Sequence, residues 1–352
     1  MQDMRDRDRH STNWLLAVGI ACMSLSTMAQ DIHFTQFFTN PLILSPASTG
    51  YFKGNYRAGI NYKYQWPWAS SQTTFNYHTQ AAYVDFSFLE TKVKRGWMGV
   101  GVNILNDDAG DGRLHYLRLG GSVAWHQAFD RENRYVLSIG YVCNYINKSV
   151  DFERFYFNNQ WVDDRGFDLS KPDYEHPATV SFTQLDMGAG LNFNAKLSKD
   201  LLLSTSFSML HLNRPRDQFY NRENSLGYRY IATSTIAWDI NKHTSLMGNV
   251  YFTYQQKAYE IVAGGMVGLK PHERRIVSKS TFYIGAYYRV LDAVSPIVGY
   301  QYKELRLLVS YDIITTALYI PGKLNGGLEI ALVYAGGFKH HANERKYACP
   351  KF

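Results

Sequence analysis

The strongest constraint in this sequence is a period of two that runs from Thr281 to Tyr334. Leu305, Leu307, Val309, Tyr311 and Ile313 fall on one side of an extended chain. Arg306, Ser310 and Asp312 fall on the other, with Leu308 as the exception. Further on, Leu328, Ile330, Leu332 and Tyr334 oppose Glu329. Successive side chains of a strand point to opposite faces. Each run therefore presents one apolar and one polar surface. The runs are about ten residues long, the length of a tilted strand that crosses a bilayer.

The same plan extends over most of the chain. Strands are expected near Asn55–Tyr64, Phe75–Phe88, Trp97–Leu105, His115–Phe129, Tyr135–Ile146 and Leu185–Lys196. A seventh ends at Leu210, an eighth covers Arg229–Asn241, and a ninth runs through Tyr254. Tyr259–Leu269, Thr281–Arg289 and three runs up to Gly336 complete the set. The expected fold class is all-β: a transmembrane antiparallel β-barrel of about 14 strands, an even number as in bacterial single-chain barrels.

Composition agrees but does not decide. Aromatic residues reach 15%, with 27 Tyr and 20 Phe, while mean hydropathy is only −0.31. After the first thirty residues no apolar run reaches the roughly 18 residues a helical span needs. A barrel carries a weak hydrophobic signal per strand; a large soluble β protein would share this composition. The net charge of +7 is scattered over turns and alternating strands, without a Lys/Arg cluster. That distribution argues against nucleic acid as a partner and suits solvated faces and a barrel lining.

Residues 1–29 read as a signal peptide. Trp14–Ala21 is an apolar core too short to span, and Thr27-Met28-Ala29 is a small-residue exit, with cleavage expected before Gln30. Asp3, Asp6 and Asp8 cancel Arg5, Arg7 and Arg9, so initiation at Met4 would give a more basic start. Cys22 raises lipidation, but Gly19 stands where a lipobox wants Leu. Cys143 and Cys349 remain after cleavage and have no metal-ligand spacing. Residues 30–54 form an irregular N-terminal lead-in, 55–336 the barrel, and 337–352 a tail. Trp66-Pro67-Trp68 suits an interfacial anchor.

Loop lengths give direction. The long connections follow the fifth, seventh and thirteenth strands. Those near Asp130–Asn133, Ser198–Asp200, Asn241–His243 and Lys303–Glu304 are short and follow even strands. Barrels of this kind have short periplasmic turns and long external loops, so the tail is expected in the periplasm. Lys270–Lys279 is longer than this rule allows.

Charged residues on the polar faces mark the interior, because a Lys or Arg at the lipid midplane costs roughly 2–4 kcal/mol. Arg57, Asp186, Arg229, Asp239, Arg289, Arg306, Asp312 and Glu329 are the expected interior charged network. An interior crossed by charged pairs suits a plugged lumen better than an open pore. Asn106–Gly112 (NDDAGDG) reads as a loop, since the terminal bidentate Glu of a calcium loop is missing. His340 and His341 point to opposite faces of an extended chain. No nucleophile triad, nucleotide loop or zinc spacing is found, so no catalytic residue, metal or cofactor is assigned and the chain is not read as an enzyme.

Several segments together resemble the PorP/SprF family of the type IX secretion system. They are FTQFFTNPLILSPASTG (34–50), Arg57 with Gln65-Trp66, GVGVNILNDDAG (99–110) and SMLHLNRP (208–215). YIGAYYRVLDAVSPIVGYQYK (283–303), SYDI (310–313), GGLEIALVY (326–334) and the terminal Cys349-Pro350-Lys351-Phe352 follow in family order. Ser45 departs from the usual Asn before Pro46-Ala47, and the segments 151–182 and 270–279 match no landmark. The resemblance implies an outer-membrane barrel of the secretion and gliding machinery of Bacteroidota. It would contact type IX components at the outer membrane and in the periplasm, and adhesin-like cargo. Lys339, Arg345, Lys346 and Lys351 make the tail basic, and Cys349, Pro350, Lys351 and Phe352 are its expected docking residues. A solute channel or transporter is the alternative function, and an outer-membrane hydrolase a third.

Overall fold

The structure is a computed structural model. It describes residues 32, 34–65, 77–88, 95–110, 112–130, 132, 134–155, 157–163, 166–168, 170–171, 180–217, 224–271, 279–315 and 326–337. The expected signal peptide, Trp66–Trp68, His340-His341 and the expected docking residues of the tail lie outside them.

Among the described residues sixteen strands follow in chain order. They are β1 (Tyr56–Gln65), β2 (Tyr77–Phe88), β3 (Gly96–Ala109), β4 (Leu114–Ala128) and β5 (Tyr135–Ser149), then the short β6 (Trp161–Val162) and β7 (Gly166–Phe167). Next come β8 (Ser181–Lys196), β9 (Leu201–Leu210), β10 (Arg229–Asp239), β11 (Thr244–Gln255) and β12 (Ala258–Leu269). The last are β13 (Ser280–Arg289), β14 (Ala293–Tyr302), β15 (Leu305–Ile314) and β16 (Gly326–Gly336). All but β6 and β7 form one closed barrel of antiparallel neighbours, sealed where β1 pairs with β16, Tyr56 opposite Gly336. The 14-stranded barrel expected from the alternation is the observed fold. Closure satisfies every strand edge, which a sheet in lipid requires. β6 and β7 pair as a small hairpin within the connection after β5.

The end holding Tyr56 and Gly336 is termed the near end. Connections 129–134, 197–200, 240–243, 270–279 and 303–304 lie there. The long connections 150–180, 211–228 and 315–325 lie at the far end, and 270–279 is the long exception at the near end. Asn106–Ala109, expected in a loop, instead extend β3. The acidic side chains are tied across strands: Thr79 Oγ1 donates to Asp107 at 2.5 Å, and His78 and His115 flank Asp108 at 3.0 and 2.8 Å. Only 110–113 turn.

The two faces divide as the period of two requires. Ile60, Val102, Ile139, Leu185, Ile284 and Val298 point outward and are each more than half exposed. In β15, Leu305, Leu307 and Ile313 face out while Arg306, Ser310 and Asp312 are buried. Leu308 also points inward and is only 1% exposed. Its inward position has a cause: the lumen is not water-filled at that depth.

Residues 34–52 occupy the lumen. The segment is a series of single turns: a 3-10 turn at Phe37–Thr39, the one-turn helix α1 (Pro41–Leu44) and a second 3-10 turn at Pro46–Ser48. Pro41 and Pro46 each open a turn, where a missing N–H costs nothing, and Pro46 stops α1 from propagating. Phe37 sits in an apolar belt with inward Leu210, Ile231, Tyr251, Tyr287, Ile297 and Leu308. Phe34 and Ile43 pack on Ala81 and Leu105. At the near end Tyr51 packs with Trp97, Ala128 and Val136. The wall facing the second 3-10 turn is stripped of side chains. A Cβ on Gly99 would lie 2.0 Å from the Thr49 carbonyl oxygen, and one on Gly140 would lie 2.3 Å from the Pro46 carbonyl carbon. Backbone meets backbone there, and only glycine allows it.

Candidate functional site in the barrel lumen

Two buried charge clusters fix the luminal segment. The first lies on β1 and β2, which place Arg57 opposite Asp85. Arg57 grips the carboxylate with both Nε (3.0 Å to Oδ1) and Nη2 (2.7 Å to Oδ2). Both ends reach the segment: the Gly50 amide donates to Asp85 at 2.7 Å, and Arg57 Nη2 donates to the Ser48 carbonyl at 3.2 Å. The Phe52 ring lies 4.7 Å from the Arg57 guanidinium carbon. Bidentate pairing of this kind is among the stronger charge-assisted contacts. Beside it, Trp97 Nε1 donates to the Gly50 carbonyl at 3.1 Å, and His126 Nε2 lies 2.8 Å from the Thr49 carbonyl.

The second cluster lies toward the far end, on β13, β15 and β16. Glu329 accepts the backbone amides of Thr35 and Gln36 at 2.9 and 2.7 Å, so one carboxylate holds two successive N–H groups. Asp312 accepts from Thr35 Oγ1 (2.9 Å), Ser295 Oγ (2.6 Å) and Arg289 Nη2 (3.0 Å), and Lys63 Nζ lies 3.5 Å away. Arg289 also donates from Nη1 to Thr35 Oγ1 at 3.2 Å. Gln36 Nε2 donates to Ser310 Oγ at 2.8 Å, and Asn61 Nδ2 donates to Thr39 Oγ1 at 2.6 Å. Removing one partner from such a buried set strands the other, at a cost of about 3–5 kcal/mol.

Of the eight interior charges expected from the sequence, Arg57, Arg289, Asp312 and Glu329 meet the segment. The other four bind the wall. Asp186 is held by His211 and Asn144 at 2.8 and 3.1 Å. Arg229 donates to Tyr251 and Thr253 at 3.1 and 3.2 Å, and Arg306 donates to Gln301 at 2.7 Å. Asp239 pairs with Lys270 at the near end, 3.2 Å apart and partly exposed. The eight thus divide between the segment and the wall. Sequence reasoning missed Lys63, Asp85, Asn61 and His126. Their signal was parity: Arg57, Asn61 and Lys63 share one face of β1.

The segment leaves part of the lumen empty. A cavity of about 90 Å³ lies between Phe37, Phe38 and Leu44 and the inward hydroxyls of Ser204, Thr233 and Thr235. A second, of about 240 Å³, lies at the near end and shares Leu202 and Met247 with the first.

The family profile for the type IX secretion system membrane protein PorP/SprF matches residues 26–334. The chain belongs to the PorP/SprF family. This PorP/SprF chain is thus a membrane component of type IX secretion, and barrel and family together fit an outer membrane. No curated protein matches the sequence. Among solved structures it is similar to the CymD monoaromatic hydrocarbon channel, at 9% identity over 86% of this chain and 94% of that one, with a TM-score of 0.50. It is also similar to the P. putida toluene transporter TodX, at 12% identity over 86% and 95% of the two chains, with a TM-score of 0.49. At such identities the likeness concerns the fold alone.

Proposed function

We propose that this PorP/SprF barrel serves type IX secretion as a plugged holder: it retains secreted cargo at its rims and contacts periplasmic components, and cargo does not pass through its lumen. One observation carries the reading. Residues 34–52 lie across the lumen and are tied to the wall by Asp85, Asp312 and Glu329. A protein chain would have to break these buried charge contacts to pass. Work then falls to the two rims. The long far-end connections supply an external face, and the near end, where β16 delivers the basic tail, faces the periplasm. Cys349, Pro350, Lys351 and Phe352 then dock on a periplasmic component of the machine shared with gliding.

Retention of type IX substrates in a deletion strain, restored by the intact gene, is the expected outcome; normal secretion without the barrel would overturn the reading. Deleting Tyr347–Phe352 should leave the barrel at its usual level in the membrane and lower secretion. Undiminished secretion would remove the tail from the docking role, and disappearance of the barrel would assign Phe352 to membrane insertion instead. The two luminal cavities favour a second reading, a solute channel. Liposomes carrying the intact protein decide between them: slow, size-independent entry fits the plugged holder, and fast, size-dependent entry fits the channel.

A further inference from the structure

Six cationic side chains are buried among the described residues: Arg57, Lys63, Arg118, Arg229, Arg289 and Arg306. Five of them have partners. Arg57 meets Asp85, Lys63 and Arg289 share Asp312, Arg229 donates to Tyr251 and Thr253, and Arg306 donates to Gln301. Arg118 is 5% exposed and makes no hydrogen bond or ion pair among the described residues. Strand register gives its surroundings. β4 sets Arg118 opposite Leu105 on β3 and Ile146 on β5, both buried, and Ile146 pairs in turn with Gln184 on β8. Gln184 has both amide atoms buried without a partner among the described residues. One row toward the near end, Asn103, Gly120 and Asn144 stand abreast on β3, β4 and β5. Both amides lean over the glycine: a Cβ on Gly120 would lie 2.6 Å from Asn103 Nδ2 and 2.4 Å from Asn144 Oδ1. Asn144 Nδ2 donates to Asp186 at 3.1 Å, whereas neither amide atom of Asn103 has a partner among the described residues. The acids nearby are engaged as well: Asp186 by His211, Asp107 by Thr79 and Asp217 by Lys148.

An arginine keeps its proton inside a protein, and an isolated buried charge is strongly unfavourable. Water can serve Asn103, but it cannot neutralise Arg118. We infer that the far half of the lumen binds a small carboxylate anion, gripped by the Arg118 guanidinium and steadied by the amide N–H groups of Asn103 and Gln184. The planar fork of an arginine fits a carboxylate through two parallel hydrogen bonds. A spherical halide offers no such match. Carbon on either side of Arg118 lowers the local dielectric and strengthens the attraction. The site is independent of the groups that hold residues 34–52, so it stands or falls apart from the secretion role.

The test is equilibrium dialysis of radiolabelled acetate against the intact barrel in uncharged detergent, at constant ionic strength. Saturable binding of one acetate per barrel is expected, displaced by formate and not by chloride at the same concentration. Acetate should also raise the midpoint of thermal unfolding, because it binds the folded state alone. Arg118→Gln should abolish binding. It should unfold no earlier than the wild type in carboxylate-free buffer, since it removes a stranded charge. Arg118→Lys keeps the charge and loses the fork, and should weaken acetate roughly tenfold. Asn103→Leu leaves the arginine in place and should weaken acetate severalfold; these two variants carry the test if Arg118→Gln does not fold. Absence of saturable binding, unaltered affinity in the variants, or displacement by chloride as effective as by formate would overturn the proposal. So would an Arg118→Gln barrel that unfolds well before the wild type without carboxylate, which would make the arginine a structural group. Binding that appears only after Asp31→Asn would make the chain its own counter-ion and overturn it too.

Discussion

Asp85 shows how much one side chain holds. It is fully buried, it neutralises Arg57, and it accepts the Gly50 amide. Asp85→Ala leaves a guanidinium buried without its counter-charge, which costs about 3–5 kcal/mol. Replacing both charges, as Arg57→Met with Asp85→Leu, removes the stranded charge. The double variant should therefore unfold in urea nearer the wild type than Asp85→Ala does. If the two effects simply add, the pair is not the unit described here. Glu329→Gln should cost less, about 1–3 kcal/mol. The amide keeps one acceptor oxygen but turns an N–H toward the amides of Thr35 or Gln36. Lys63, Asp85 and Asn61 were hidden from sequence reading for a plain reason. Alternation assigns a face to each residue, but the partner of a luminal charge is chosen by register. Thr35 and Glu329 lie 294 positions apart in the chain.

At the scale of the element, the strands were legible and the luminal segment was not. Each barrel strand repeats a two-residue pattern that the bilayer enforces, so β5 and β8 can be read residue by residue. Residues 34–52 have no such solvent. They are buried on all sides by protein, and two prolines divide them into turns too short to show a period. Their trace in the sequence is indirect: inward glycines on β3 and β5, and an inward Leu308 among polar neighbours. The glycines give a sharp contrast. Gly140→Val would drive a side chain into the Pro46 carbonyl, whereas a Cβ on Gly121 meets nothing within 4 Å. Thermal unfolding should therefore drop clearly for Gly140→Val and stay within about 1 kcal/mol for Gly121→Ala. Comparable losses at both positions would mean that close approach of the segment is not what requires glycine.

For the whole molecule, the barrel wall and its filling are separable. The 14 strands satisfy one another's backbone through closure, and the segment adds no strand to them. Deleting residues 34–48 should leave strand content by circular dichroism nearly intact and raise solute entry into liposomes severalfold. Loss of the barrel itself would make the segment part of the wall's stability, and unchanged entry would mean that other groups close the lumen. The wall supports that expectation of water entry: inward Asn103 and Asn194 are buried with both amide atoms lacking a protein partner, which suits bound water.

The carboxylate that receives Thr35 and Gln36 has a consequence for how the protein comes into being. Glu329 belongs to β16, and its clients Thr35 and Gln36 precede β1 in the chain. The same strand seals the wall against β1. Until β16 arrives, the ring is unsealed and the amides of Thr35 and Gln36 lack their carboxylate acceptor. Contacts of such long range are slow to form. A chain stopped short of β16 would carry an unpaired edge and two unsatisfied amides together, two faults in one product. Sealing the wall and seating residues 35 and 36 inside it thereby become a single event.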